Sequence, residues 1–252
     1  MVSRFRQIVE TAMKNITEDA FSDRDRYKEA IDVYLNVLDK MEPSLNTDKI
    51  ITDSAECVSL QVNTPYGPLI VSVSLDKDVH NAGVYYPEYN AIELNIHGIM
   101  DLSDETINMT DPITGEENVT GINAKYLYKI LSSRAVQDTF IHEYTHFIDD
   151  KTKYSMKKQA DTYKNIDYFN KPYERNAFYI AWLNKIVSYT YKKYGKIMKE
   201  LTPDERLNFL RNAWKEDEEF VEYYNKLEPA AKKRFMSRLY NYFSTDFWSD
   251  AA

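Results

Sequence analysis

The residues whose types and spacing could do chemistry lie in one short segment. His142, Glu143 and His146 form the pattern HExxH. On a helix, residues four positions apart lie on one face, one turn above the other, so the two imidazoles can approach one metal ion together. Glu143 points to one side of this pair and can reach a metal-activated water without being a ligand. The pattern therefore predicts a Zn²⁺ ion bound by His142 and His146, with Glu143 as the general base of a hydrolysis.

Apolar residues flank this trio and favour a buried helix over an exposed one. The alternative interpretation is two surface histidines on an amphipathic helix that bind nothing. A largely apolar environment is a poor setting for bare polar groups without a partner. The flanking residues are Phe140, Ile141, Tyr144, Phe147 and Ile148.

A catalytic zinc needs three protein ligands and one open position, so a third ligand must come from elsewhere. No histidine stands six positions after His146, which excludes the long HExxHxxGxxH form. Glu174 is the better candidate, because Pro172 suits the first turn of a helix. The small residues Ala177 and Ala181 would let that helix approach the HExxH helix closely. The alternative is that Glu174 is a carboxylate at a helix N-terminus that stabilises the helix by interacting with its dipole.

Three features together resemble the gluzincin group of zinc metallopeptidases. They are the HExxH segment, the Glu-x-x-Ala run at 174–177 and the segment 82–95, which resembles the edge strand that precedes the HExxH helix in many compact zincins. The run 142–150 is similar to the catalytic domain of anthrax lethal factor and its relatives. The short span between HExxH and Glu174 is similar to the minimal ImmA/IrrE-type peptidases of mobile elements and phages. The resemblance covers about residues 55–190 and implies a zinc-dependent peptidase.

The resemblance also implies roles in substrate binding. The backbone of an edge strand near Glu93 and Asn95 would pair with an extended protein or peptide substrate, the alternative being an ordinary sheet edge. A tyrosine near the third ligand often donates to the oxyanion in such enzymes, and Tyr168 and Tyr173 are the candidates. The alternative for both tyrosines is packing, since the chain contains 21 of them.

A residue that orients a ligand imidazole is the last part that the comparison implies. Thermolysin-like enzymes carry an Asp four residues after the third ligand, but Phe178 stands there in this chain. Asp149, one turn after His146, is the candidate for this role. The alternative is a solvated helix end.

The periodicity of the chain indicates the elements that must position these residues. Residues 4–41 have a helical pattern, whereas alternation predicts a hairpin at 57–78 and a third strand at 91–96. Residues 101–122 are polar and turn-rich, which predicts a surface loop, and the pattern is helical from Ala124 onward. This order predicts an α+β fold. The resemblance specifies it as zincin-like, with a small, mostly antiparallel sheet on the HExxH helix and additional N- and C-terminal helices.

These elements suggest three segments: an N-terminal helical segment at 1–45, a zincin-like catalytic core at 46–198 and a C-terminal helical segment at 199–252. The terminal helices could bind a protein partner. The alternative function is therefore a phage or mobile-element structural or binding protein, built on a zincin core with weak or no turnover.

Composition narrows the class of protein further. A formal net charge of −8 disfavours binding to nucleic acid or to anionic membranes. A single cysteine excludes an internal disulfide framework. With neither a secretory signal nor a membrane-spanning run in the sequence, we expect a cytoplasmic or virion-associated protein.

Overall fold

The chain folds into two compact units. One comprises Glu29–Lys164 and the other Asn165–Ala252 together with Met1–Lys28. The structure, a computed structural model, describes residues 25–52, 58–76, 81–100, 102, 107–109, 115, 119–152, 156–194, 200–213 and 218–244. The three segments expected from the sequence stay predictions. So does a helix before residue 25, since residues 1–24 lie outside the described part.

The unit Glu29–Lys164 contains two small sheets and several helices. In chain order its elements are α1 (residues 25–45, of which 29–45 lie in this unit), β1 (Ile50–Thr52), β2 (Val58–Thr64), β3 (Gly67–Ser74), β4 (Gly83–Tyr86), β5 (Ala91–Asn95), α2 (Ile96–Ile99), β6 (Ile107–Met109), β7 (Val119–Asn123), α3 (Ala124–Leu131), α4 (Arg134–Thr152) and α5 (Met156–Thr162). The α+β class predicted from the sequence is confirmed.

The larger sheet has the strand order β2-β3-β5-β4. β2 and β3 form the predicted hairpin, and Gly67 at its turn has φ +112°, a conformation that glycine adopts at little cost. β5 is the predicted third strand. It runs parallel to β3 and antiparallel to β4, so the sheet is mixed.

The smaller sheet has the order β1-β7-β6, with both pairs antiparallel. It contradicts the loop predicted for residues 101–122, because β6 and most of β7 lie in that stretch. One of the two pairings that stabilise β7 is with β1 and joins Ile50 to Asn123. A partner so distant in the sequence leaves no trace in the local alternation.

Helix α4, which carries the HExxH motif, lies against β4 and β5 of the larger sheet. The five apolar residues that flank the motif are all at most 1% exposed. Tyr144 also donates a 2.6 Å hydrogen bond to Glu29 on α1, and the ring of Phe140 lies 5.0 Å from that of Tyr34. The motif is therefore held on a helix that is buried on several sides.

The other unit is helical in its described residues. Its elements are a 3-10 turn (Tyr168–Asn170), α6 (Pro172–Tyr194), α7 (Pro203–Ala213), α8 (Glu218–Lys226) and α9 (Pro229–Ser244). Pro172, Pro203 and Pro229, at which the sequence predicts breaks in the helical pattern, each occupy a helix start, because a proline in the first turn loses no hydrogen bond. Gly195, at which the sequence predicts a further break, lies outside the described residues.

The length and mean hydropathy of a helix determine whether it can cross a membrane. In the described parts of the chain, no helix has both the length and the apolar character needed to cross a bilayer.

Candidate metal centre

The two histidines of the motif face each other on α4. Their Nε2 atoms lie 3.2 Å apart, and the ring centroids are separated by 4.9 Å with an interplanar angle of 83°. Two nitrogen ligands of a tetrahedral metal ion, with bonds of about 2.0–2.1 Å, lie about 3.4 Å from each other. The measured separation therefore suits two nitrogens that bind one ion.

A carboxylate completes this group. One ligand nitrogen of His142, one of His146 and a carboxylate oxygen of Glu174 all lie within 4.8 Å of one another. His146 and Glu174 are buried, at 5% and 7% exposure, and His142 is partly exposed. Two imidazoles and one carboxylate are a donor set that Zn²⁺ accepts in catalytic sites. This His–His–Glu cluster could hold a metal ion.

Glu143 lies on the same helix but faces the sheet. It is 8% exposed, and a Cβ atom built on Gly83 of β4 would lie 3.0 Å from its Cγ. The same Cβ would lie 2.7 Å from Cγ2 of Thr139, one turn earlier on α4. The main chain of β4 thus passes directly against the helix face that carries Glu143. A glycine within a strand often marks close approach of another group, but this signal can be read only once β4 is known to be a strand, which the sequence pattern does not reveal.

Substitution of Gly83 by alanine is expected to destabilise the protein. The added methyl overlaps Thr139 and Glu143, and overpacking of this kind costs about 1–3 kcal/mol. Thr139 cannot easily turn away, since its hydroxyl donates a 3.0 Å hydrogen bond to the carbonyl of Ala135. Urea unfolding of the metal-free protein measures the effect.

The double variant Gly83→Ala/Thr139→Ser is the control for that substitution. It removes the closest clashing atom, Cγ2 of Thr139, and is expected to recover part of the lost stability. If Gly83→Ala were as stable as the wild type, the alanine Cβ would not clash with Cγ2 of Thr139. The strand β4 and the helix α4 would then be farther apart than the 2.7 Å contact between these two atoms implies.

The strand that carries Glu93 and Asn95 is not an edge strand, so that prediction is wrong. β5 lies between β3 and β4, and Glu93 pairs with Ser72 on one side and Val84 on the other. Asn95 is 2% exposed, and its side chain accepts a hydrogen bond from the amide of His97 at the start of α2. The four-residue strand β4, which the sequence pattern did not reveal, covers β5. Among the described strands of this sheet, the two outer positions belong to β4 and β2.

Asp149 is buried, with 2% exposure, so it is not a solvated helix end. It belongs to α4, three residues after His146. Its neighbour Asp150 accepts a 3.1 Å hydrogen bond from the hydroxyl of Tyr85 on β4. Burial, and then the charge of Asp150, raise the pKa of Tyr85 above its usual range. The orienting role of Asp149 stays a prediction.

The two tyrosines considered for the oxyanion differ in their environments. Tyr168 lies in the 3-10 turn before α6 and is 46% exposed, with its ring edge-on to Phe169 and Phe178. Tyr173 is buried in the first turn of α6. The catalytic role of either tyrosine stays a prediction.

Comparison with known proteins finds no protein-family model, no curated protein and no solved structure that matches the chain.

Proposed function

We propose that this protein is a zinc-dependent peptidase. His142, His146 and Glu174 would hold Zn²⁺, and Glu143 would act as the general base. The observation that carries the proposal is the convergence of one carboxylate oxygen and two imidazole nitrogens within 4.8 Å. The 3.2 Å separation of the two Nε2 atoms supports it, because it suits a shared ion.

The proposed chemistry divides between the ion and the protein. When bound, Zn²⁺ supplies a Lewis acid that polarises a carbonyl group and lowers the pKa of water. Glu143 would accept a proton from the attacking water at a carboxylate oxygen and deliver it to the leaving amine nitrogen. The main chain at Gly83 would keep the Glu143 side chain in place for both transfers.

We infer an extended peptide as the substrate, bound along β4. In the described part of the sheet, β4 has a neighbouring strand only on its inner side. An extended peptide can add to such an edge through main-chain hydrogen bonds. Gly83, at the start of β4, adjoins Glu143, so a peptide along this strand would lie near the proposed base. This replaces the assignment of the substrate edge to β5.

We further infer that the fold is zincin-like. The arrangement that supports this is a mixed sheet with the HExxH helix lying against its outer strand β4 and the neighbouring β5.

The proposal is tested with a diverse mixture of unstructured peptides. The wild-type protein is expected to cleave a subset of them, to lose this activity with 1,10-phenanthroline and to regain it when Zn²⁺ is restored, since the ion supplies the Lewis acid. Mass spectrometry of the products measures the cleavage. Zinc binding without any cleavage would instead favour the alternative, a binding or structural protein built on the same core.

A further inference from the structure

The 3-10 turn that precedes α6 is hydrogen-bonded to the junction of α8 and α9. The side-chain amide of Asn170 makes both bonds. Its Nδ2 donates to the carbonyl of Lys226 at 3.1 Å, and its Oδ1 accepts from the main-chain N–H of Glu228 at 2.9 Å. The partners are 56 and 58 positions away in the sequence. One side chain thereby satisfies a carbonyl at the end of one helix and an N–H at the start of the next.

Aromatic packing joins the same elements. The ring of Tyr223 on α8 lies 4.6 Å from that of Phe178 on α6, and Phe169 lies 5.8 Å from both rings. The ammonium group of Lys226 lies 4.6 Å from the ring centroid of Phe169. The turn and the start of α6 are thus fixed to α8 by packing as well as by hydrogen bonds.

Glu174 follows this turn closely. Asn170 is the last residue of the turn, α6 begins at Pro172, and Glu174 lies in its first turn. The amide of Arg175 donates to the carbonyl of Lys171, which ties the first turn of α6 to the residue directly after Asn170. Since a metal ligand must be placed within a few tenths of an ångström, the anchoring of this turn bears on the position of the carboxylate.

We propose that Asn170 is a positioning residue for the metal ligand Glu174, and that the α8–α9 junction is thereby part of what forms the metal site. The proposal rests on the proposed function, in which Glu174 binds the ion. It gives the C-terminal helices a role in the site itself, distinct from that of a surface for partners.

The first test measures Zn²⁺ affinity by competition with a chromophoric chelator. Asn170→Ala is expected to weaken Zn²⁺ binding by at most about tenfold, the lower end of the loss for a group hydrogen-bonded directly to a ligand, because Asn170 acts on Glu174 only through the turn. Asn212→Ala is the matched control. Asn212 also donates its amide to a helix carbonyl, that of Asn208, but it does so on the exposed surface of α7. The control should bind Zn²⁺ as the wild type does.

A double-mutant cycle separates positioning from general destabilisation. In a Glu174→Ala background, Asn170→Ala is expected to have no further effect on Zn²⁺ affinity, because the ligand that it positions is gone. An equal loss of affinity in both backgrounds would overturn the proposal. If Asn170→Ala does not fold, the same Zn²⁺ affinity measurement is made on Asn170→Asp. It keeps the acceptor for Glu228 and loses the donor to Lys226, so it should show a smaller loss of the same kind.

The outcomes distinguish this inference from the proposed function. If Glu174→Ala weakens Zn²⁺ binding and neither Asn170 variant does, the positioning role is wrong and the metal site stands. If the wild type binds no Zn²⁺, or Glu174→Ala binds it as well as the wild type, the assignment of Glu174 fails. The role of Asn170 then fails with it.

Discussion

Glu143→Ala is expected to abolish peptide cleavage while the protein keeps its zinc. Glu143 belongs to the same helix as the two histidines, but its side chain lies against Gly83 of the sheet. Loss of a positioned general base lowers kcat by about 10²–10⁴-fold. Because the His–His–Glu cluster that we propose as the ligand set remains, zinc content should not change. The measurements are kcat on a peptide identified in the mixture and the metal content of the same preparation.

The matched control is Glu143→Gln, which keeps the shape of the side chain against Gly83 and removes only its basicity. It should be as inactive as Glu143→Ala and as stable as the wild type. Cleavage by either variant at the wild-type rate would show that Glu143 is not the base. Loss of zinc from Glu143→Gln would instead indicate that Glu143 is a ligand.

His146→Ala is expected to lose the metal. Its imidazole is 5% exposed and belongs to the three-residue cluster, found among the described residues, that could hold a metal ion. We expect Zn²⁺ affinity to fall by more than about 100-fold, which is the upper end for loss of an outer-sphere partner alone. The free energy of unfolding, measured with and without Zn²⁺, also detects the loss of metal binding. Zn²⁺ at 100 times its Kd stabilises the folded wild type by about 2.7 kcal/mol, and this gain should vanish in the variant.

His97→Ala is the control for the removal of a histidine from the same unit. His97 lies in α2, outside the His–His–Glu cluster, so this variant should keep the zinc-dependent gain in Tm. If His146→Ala showed the same zinc-dependent gain as the wild type, the ion would bind elsewhere.

The sequence was most informative where the structure is locally encoded. Helix α4 and the hairpin β2–β3 follow from apolar spacing and from turn residues within a few positions of each other. The approach of His142 to His146 follows from helix geometry alone. These parts required no knowledge of distant contacts.

Other parts depend on contacts that local patterns do not carry. β4 has four residues and begins with Gly83, so it shows too little alternation to be recognised. Without β4, the sequence predicts β5 as the edge strand. β1 and β7 are strands because they pair with each other across the chain. The amide of Asn170 binds residues more than 50 positions away. The three-residue turn Tyr168–Asn170 carries no local pattern that predicts these hydrogen bonds.

The most direct test of the central claim is the zinc content of the purified protein, measured beside the His142→Ala/His146→Ala variant. The account predicts about one Zn²⁺ per wild-type chain and none in the variant, because both nitrogen ligands are then removed. A well-folded wild-type protein that binds no zinc after dialysis against the metal would contradict it. The HExxH segment would then be a packed helix without a metal function.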